Sequence, residues 1–149
     1  MRFGIRRPIL VGLGLAAIGL FLFARAPVDG MFWIDVFPSM ALLGIGAGMA
    51  FNPVLLAAMG DVPESESGLA SGVVNTAFMM GGSLGLAILV SVAAFRTEAL
   101  RLGGTDPIAA LNAGYGTAFL VAGIFAAMAA IGGLLLREPS PERLAGAAH

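Results

Sequence analysis

Residues 68–88 read GLASGVVNTAFMMGGSLGLAI, with five glycines and no charge. The spacing is helical, yet each glycine weakens a helix in water by about 1 kcal/mol relative to alanine. In lipid the balance differs. No water competes for the backbone, and small residues let helices approach one another. Whether this stretch lies in lipid is decided by the rest of the chain.

The chain has 149 residues, 58% hydrophobic and 11% charged, with a mean hydropathy of +0.94. A soluble domain carries roughly a quarter charged residues. All eight basic residues are arginine, there is no cysteine and one histidine, and the net charge is −1. Disulfides and thiolate metal sites are excluded, and nothing suggests a nucleic-acid partner. No metal or cofactor is expected. No nucleophile–base pair or phosphate loop gives enzyme chemistry a foothold. Charge-free runs separate Arg7 from Arg25, Asp35 from Asp61, Glu66 from Arg96 and Asp106 from Arg137. They hold about 17, 25, 29 and 30 residues, against about 20 for a membrane-spanning helix. A soluble four-helix bundle would show a polar stripe on each helix; none is present. The fold class is therefore all-α, an integral membrane bundle of four transmembrane helices in contact with a lipid bilayer.

A basic segment 1–8 leads into a membrane domain 9–136, with spans expected over 9–24, 34–59, 68–95 and 112–136. The first span also resembles a signal peptide ending at Ala24-Arg25-Ala26, but its apolar stretch is too long, Pro27 follows directly, and three more spans come after it. Trp33 and Asp35 mark an interface. Pro38 suits a first turn, and Pro53 is expected to kink span two by displacing the carbonyl of Met49. Asp61 and Glu64 have capping-box spacing before span three, with Pro63 suited to a first turn. Residues 96–107 read as a polar link, and 137–149 as a disordered tail. Short connections make neighbouring spans antiparallel, with both termini on one side. That side carries Arg2, Arg6, Arg7, Arg137 and Arg143, against Arg25, Arg96 and Arg101 opposite. The bias favours cytoplasmic termini in a cell (inner) membrane.

On span three, Gly68, Gly72, Asn75, Met79, Gly82 and Leu86 share one face, flanked by Ser71, Thr76 and Ser83. This small, polar face is either a helix seam, with Asn75 bonded across it, or the lining of an aqueous cavity. Span two repeats the theme with Gly44, Gly48 and Asn52 at four-residue spacing. Asn52 either repairs the backbone carbonyl freed by Pro53 or faces a cavity. The candidate packing residues are Gly44, Gly48, Gly68, Gly72 and Gly82. The candidate cavity residues are Asn52, Asn75, Thr76 and Met79. Ala122, Ala126 and Ala130 suggest plain packing on span four. No ionisable group lies deep in any span, although proton-coupled transport usually needs one.

The stretch from Pro38 to Val92 resembles the C-terminal region of major facilitator superfamily transporters, and is most similar to the fourteen-span drug:proton antiporter branch. There the penultimate helix often opens as G-x-A-S-G-x-x-N-T, here Gly68, Ala70, Ser71, Gly72, Asn75 and Thr76, and continues as G-G-S-x-G, here Gly81, Gly82, Ser83 and Gly85. The glycine-rich run before Asn52 and Pro53 also fits. The resemblance covers about residues 9–136. It implies the last four helices of a multidrug or small-molecule efflux protein, a partial C-terminal half, proton-coupled in the complete family. A complete member is about three times longer, and its signature loop, antiporter motif and coupling carboxylates have no counterpart here. The expectation is a fragment, a truncated product or one piece of a split transporter. Such a chain supplies part of a cavity for a small amphipathic substrate and needs the missing N-terminal helices or another membrane chain. The alternative is a non-catalytic four-span protein packing against a larger membrane partner. A small homodimeric exporter is disfavoured by the missing intramembrane carboxylate.

Overall fold

The computed structural model describes residues 6–60 and 62–134. Residues 1–5 of the basic segment, Asp61 of the expected capping pair, the last two residues of the expected fourth span and the tail 137–149 lie outside them. Four helices make up the bundle: α1 (Arg6–Phe23), α2 (Phe37–Met59), α3 (Ser67–Leu102) and α4 (Pro107–Gly133). A π-helical turn, Phe32–Val36, leads into α2, and a 3-10 turn, Glu64–Glu66, leads into α3. The spans beginning at Phe32, Glu64 and Pro107 are long and apolar enough to cross a membrane, whereas α1 is a shorter apolar helix. At about 1.5 Å per residue α1 reaches about 27 Å, close to the roughly 30 Å hydrocarbon core.

Two helix ends depart from the expected boundaries. Helix α3 does not stop at Phe95, the expected end of span three, but runs on to Leu102. Glu98, Ala99, Leu100 and Arg101 are strong helix formers, and Ala93 and Thr97 are held against Gly114 of α4. The polar link shrinks to residues 103–106. Gly104 takes a φ of 85°, and the N–H groups of Gly104 and Thr105 donate to the carbonyls of Arg101 and Leu100. These are the two bonds of a Schellman stop, and its left-handed residue favours glycine. Helix α4 then begins at Pro107, five residues before the expected start of span four at Asn112. The Asp106 carboxylate accepts from the N–H groups of Ile108 and Ala109 at 3.0 and 3.1 Å, with Pro107 in the first turn. The sequence Gly103-Gly104-Thr105-Asp106-Pro107 thus carries a complete stop and restart.

Helix α1 is central. It packs on α2 and α4, α3 packs on α4, and α2 and α3 touch only slightly. The Asn112 amide donates to the Ala26 carbonyl at 3.1 Å, which ties the start of α4 to the α1–α2 loop. At the opposite end Ile9 meets Gly133. The two ends of the described chain therefore share one side.

The bundle is built from small residues. Its buried apolar side chains are Ile9 and six alanines, Ala16, Ala17, Ala50, Ala93, Ala110 and Ala118. Large apolar side chains point outward, among them Leu69 at 74% and Phe95 at 79% exposure. A bundle in lipid gains nothing by hiding leucine, and its helices associate by close packing. The α1–α2 seam shows how close. A Cβ on Gly12 would stand 2.6 Å from the Gly46 carbonyl oxygen and 2.8 Å from the Ala50 nitrogen; one on Gly19 would stand 2.8 Å from the Ser39 carbonyl oxygen. Gly44 and Gly48, expected as packing residues, meet nothing within 4 Å; Gly46 between them is buried against Gly12 and Ala16. On α4 the buried row is Ala110, Gly114 and Ala118, while Ala122, Ala126 and Ala130 are half-buried.

Replacing Gly46 by Leu forces α1 and α2 apart. Overpacking of this kind typically costs 1–3 kcal/mol. Gly46→Leu is expected to lower the thermal unfolding temperature in detergent, and Gly44→Leu, one helical face away, to leave it unchanged or raise it.

Candidate functional site

The slight contact between α2 and α3 leaves a groove of about 400 Å³ between the second half of α2 and the first half of α3. Helix α2 contributes Phe51, Val54, Leu55 and Ala58. Helix α3 contributes Ser71, Gly72, Val74, Asn75 and Phe78. The groove has one point of closure, where Phe51 and Phe78 meet edge to face with ring centroids 5.5 Å apart. No ionisable group lines it. Its polar atoms come from Ser71, from Asn75 and from the backbone bared at Gly72. The groove lies toward the end of the bundle where α1 begins and α4 finishes.

Among the cavity candidates, Asn75 lines the groove. Its amide makes no hydrogen bond among the described residues, so it is not bonded across a seam within this chain. Asn52 is exposed beside Phe51 but outside the lining. Its amide also makes no hydrogen bond among the described residues and does not repair the carbonyl freed by Pro53, which lies within α2. The Thr76 hydroxyl donates to the Gly72 carbonyl at 2.8 Å. Met79 is 70% exposed and outside the lining. Ser83 and Ser91 likewise donate to carbonyls of their own helix. Thr76, Ser83 and Ser91 are thus satisfied locally, whereas the two polar side chains in the groove, Ser71 and Asn75, make no hydrogen bond among the described residues.

The glycines of the opening stretch do not pack against the described residues. A Cβ on Gly68, Gly72, Gly81, Gly82 or Gly85 would meet nothing within 4 Å. Gly68, Gly72 and Gly82 share one face, Gly81 and Gly85 lie on another, and no backbone closes on either among the described residues. Sequence reading singled out Asn75 and Gly72 but passed over the aromatic pair. The available signal was position: Phe51 directly precedes Asn52, and Phe78 lies three residues after Asn75, on the same side of α3.

Comparison with known proteins places this architecture. The Major Facilitator Superfamily profile matches residues 1–86. The puromycin resistance protein pur8 of Streptomyces alboniger is 36% identical over 110 residues, 71% of this chain and 22% of that protein. A triacylglyceride transporter of Mycolicibacterium smegmatis is 35% identical over 97 residues, 59% of this chain and 17% of that protein. The multidrug resistance protein Stp of Mycobacterium tuberculosis is 33% identical over 93 residues, 62% of this chain and 17% of that protein. No solved structure matches the chain. The chain spans about a fifth of the length of these relatives. On the profile match and these identities, the chain is a multi-pass membrane protein that belongs to the Major Facilitator Superfamily.

Proposed function

We propose that these four helices form part of an efflux transporter and that the α2–α3 groove belongs to its substrate path. The observation that supports this most directly is the exposed Asn75 amide, which with the Ser71 hydroxyl makes no hydrogen bond among the described residues and opens on a charge-free, largely apolar groove. An unpaired amide in apolar surroundings costs several kcal/mol. Water or a substrate acceptor relieves that cost, and the aromatic and aliphatic walls suit an apolar body. A small amphipathic molecule fits both requirements. The relatives named for puromycin resistance, multidrug resistance and triacylglyceride transport support this reading.

The bare glycine face of α3 supports a second element of the reading, contact with helices outside this chain. Five glycines on an exposed helix have no use against lipid, whereas they permit close approach by another backbone. In this reading Gly68, Gly72 and Gly82 meet the remainder of the transporter, and Asn75 sits at the cavity-side margin of that contact. Transport and proton coupling then require those further helices, because substrate cavities of such transporters form at the interface between repeats. The termini lie on the cytoplasmic side of a cell membrane, as the arginine distribution favours.

The test uses a full-length transporter carrying this segment. Gly72→Leu is expected to lower its thermal stability, at a typical overpacking cost of 1–3 kcal/mol. Asn75→Leu is expected to leave stability within about 1 kcal/mol, since one interhelical bond averages about 0.6 kcal/mol in membrane proteins, while changing efflux rate or substrate preference. Asn75→Gln, which keeps the amide, should retain more of the parent profile. Unaltered efflux of every substrate by Asn75→Leu removes the groove from the path.

Topology is tested separately. The chain has no cysteine, so Ser65→Cys and Thr105→Cys each provide a unique thiol. A membrane-impermeant maleimide is expected to label Ser65→Cys from the cytoplasmic side and Thr105→Cys from the other. Labelling of both from one side defeats the orientation.

A further inference from the structure

We infer that the loop end of the bundle carries an interfacial belt, contributed by α3, α4 and the loop and π-helical turn that join α1 to α2, that seats the protein at the headgroup–acyl boundary of the bilayer. The seams set the levels. Gly12 lies against Gly46 and Ala50, Gly46 against Ala16, and Gly19 against Ser39 and Leu43. Continued upward, this antiparallel register brings Ala24–Pro27, at the end of α1, opposite the turn from Trp33 to Val36. The Ala24 carbonyl stands 2.9 Å from the Cβ position of Gly116 on α4, and Gly114 lies against Ala93 and Thr97 of α3. Arg25, Trp33, Phe95, Arg96 and Tyr115 therefore share one level, within about one helical turn of each other.

Their chemistry fits that level. Trp33, Phe95 and Tyr115 are 71%, 79% and 54% exposed, and both arginines are exposed. Tryptophan and tyrosine are favoured where one edge of the ring meets acyl chains and the other meets water, and arginine carries its guanidinium outward to headgroups. Trp33 is placed by its surroundings. Its ring lies 5.5 Å from that of Phe32 and 5.3 Å from that of Phe37. The turn beneath is closed by the Met31 N–H donating to the Asp35 carboxylate at 2.8 Å. Distance gives an independent mark. Arg7 stands about 24 Å along α1 from Phe23, the last residue of the helix, and Arg25 follows in the turn, so the two arginines bracket a length near the roughly 30 Å hydrocarbon thickness. The α3–α4 hairpin beyond Thr97 then stands about 9 Å outside the belt, in water.

Trp33 is the sole tryptophan, which makes the depth measurable. The full chain is reconstituted in phosphatidylcholine vesicles whose acyl chains carry bromines either near the carbonyl or near the methyl end. Trp33 emission is expected to be quenched most by the shallow bromines. The double variant Trp33→Phe/Tyr115→Trp should report the same depth from α4. Trp33→Phe/Ile45→Trp, with its tryptophan halfway down α2 at a position 58% exposed, should be quenched most by the deep bromines and shows that the bundle is inserted. Stronger quenching of Trp33 by deep bromines, unequal depths for Trp33 and the tryptophan at position 115, or no quenching of Trp33 by either lipid overturns the belt.

Discussion

Everything else in this bundle depends on the approach of α1 to α2 across Gly12, Ala16, Gly19, Gly46 and Ala50. The separation is so small that a single added carbon on Gly12 or Gly19 would stand under 3 Å from the facing backbone. In water such a seam would waste the hydrophobic effect, since it hides little apolar area. In lipid that effect is absent between helices, and dispersion across closely apposed backbones takes its place. Leucine and phenylalanine accordingly line the outside. Helix α1 lies between two partners, meeting α2 through its own Gly12 and Gly19, and α4 through Ile9 and Phe21, which rest on Gly133 and Gly123 of that helix.

The attachment of α3 is different in kind. It is gripped near its end, where Ala93 and Thr97 close on Gly114, and its first half has no comparable partner in the chain. That one-sided grip opens the α2–α3 groove. Two populations of glycine result. Gly12, Gly19, Gly46 and Gly114 are consumed by seams, while the five in the opening stretch remain uncovered. The same residue type therefore marks completed contacts in one half of the bundle and an unfilled surface in the other.

Hydropathy made the class of fold legible, because long runs without charge have few other uses. Helix ends were harder. The charges at Arg96, Glu98 and Arg101 suggested a link, but a helix leaving the membrane needs no apolar side chains, only good propensity and a stop. That stop was written in Gly104, Asp106 and Pro107. Seam residues were not legible from spacing. Gly44 and Gly48 form one small-x-x-x-small pair and Gly46 and Ala50 another, and it is the second that α1 covers, because the rotation of α2 is set by its partner rather than by its own pattern. At the site, Asn75 and Gly72 were found by their shared face. Phe51 and Phe78 escaped because aromatics are unremarkable in apolar helices until a fold brings two of them together.

The polar groups of α3 sort themselves by chemistry. A hydroxyl on a helix reaches the carbonyl one turn back, so Thr76, Ser83 and Ser91 are satisfied without leaving their own backbone. They can face lipid at small cost. The Asn75 amide makes no such bond. Its two donors and one acceptor ask for more than the groove walls supply. A helix meant only to pack would place serine or threonine at that position and lose nothing. Asparagine at the edge of a groove, one turn from an aromatic contact and beside a glycine that bares the backbone, leaves hydrogen-bonding capacity where a molecule in the groove would meet it.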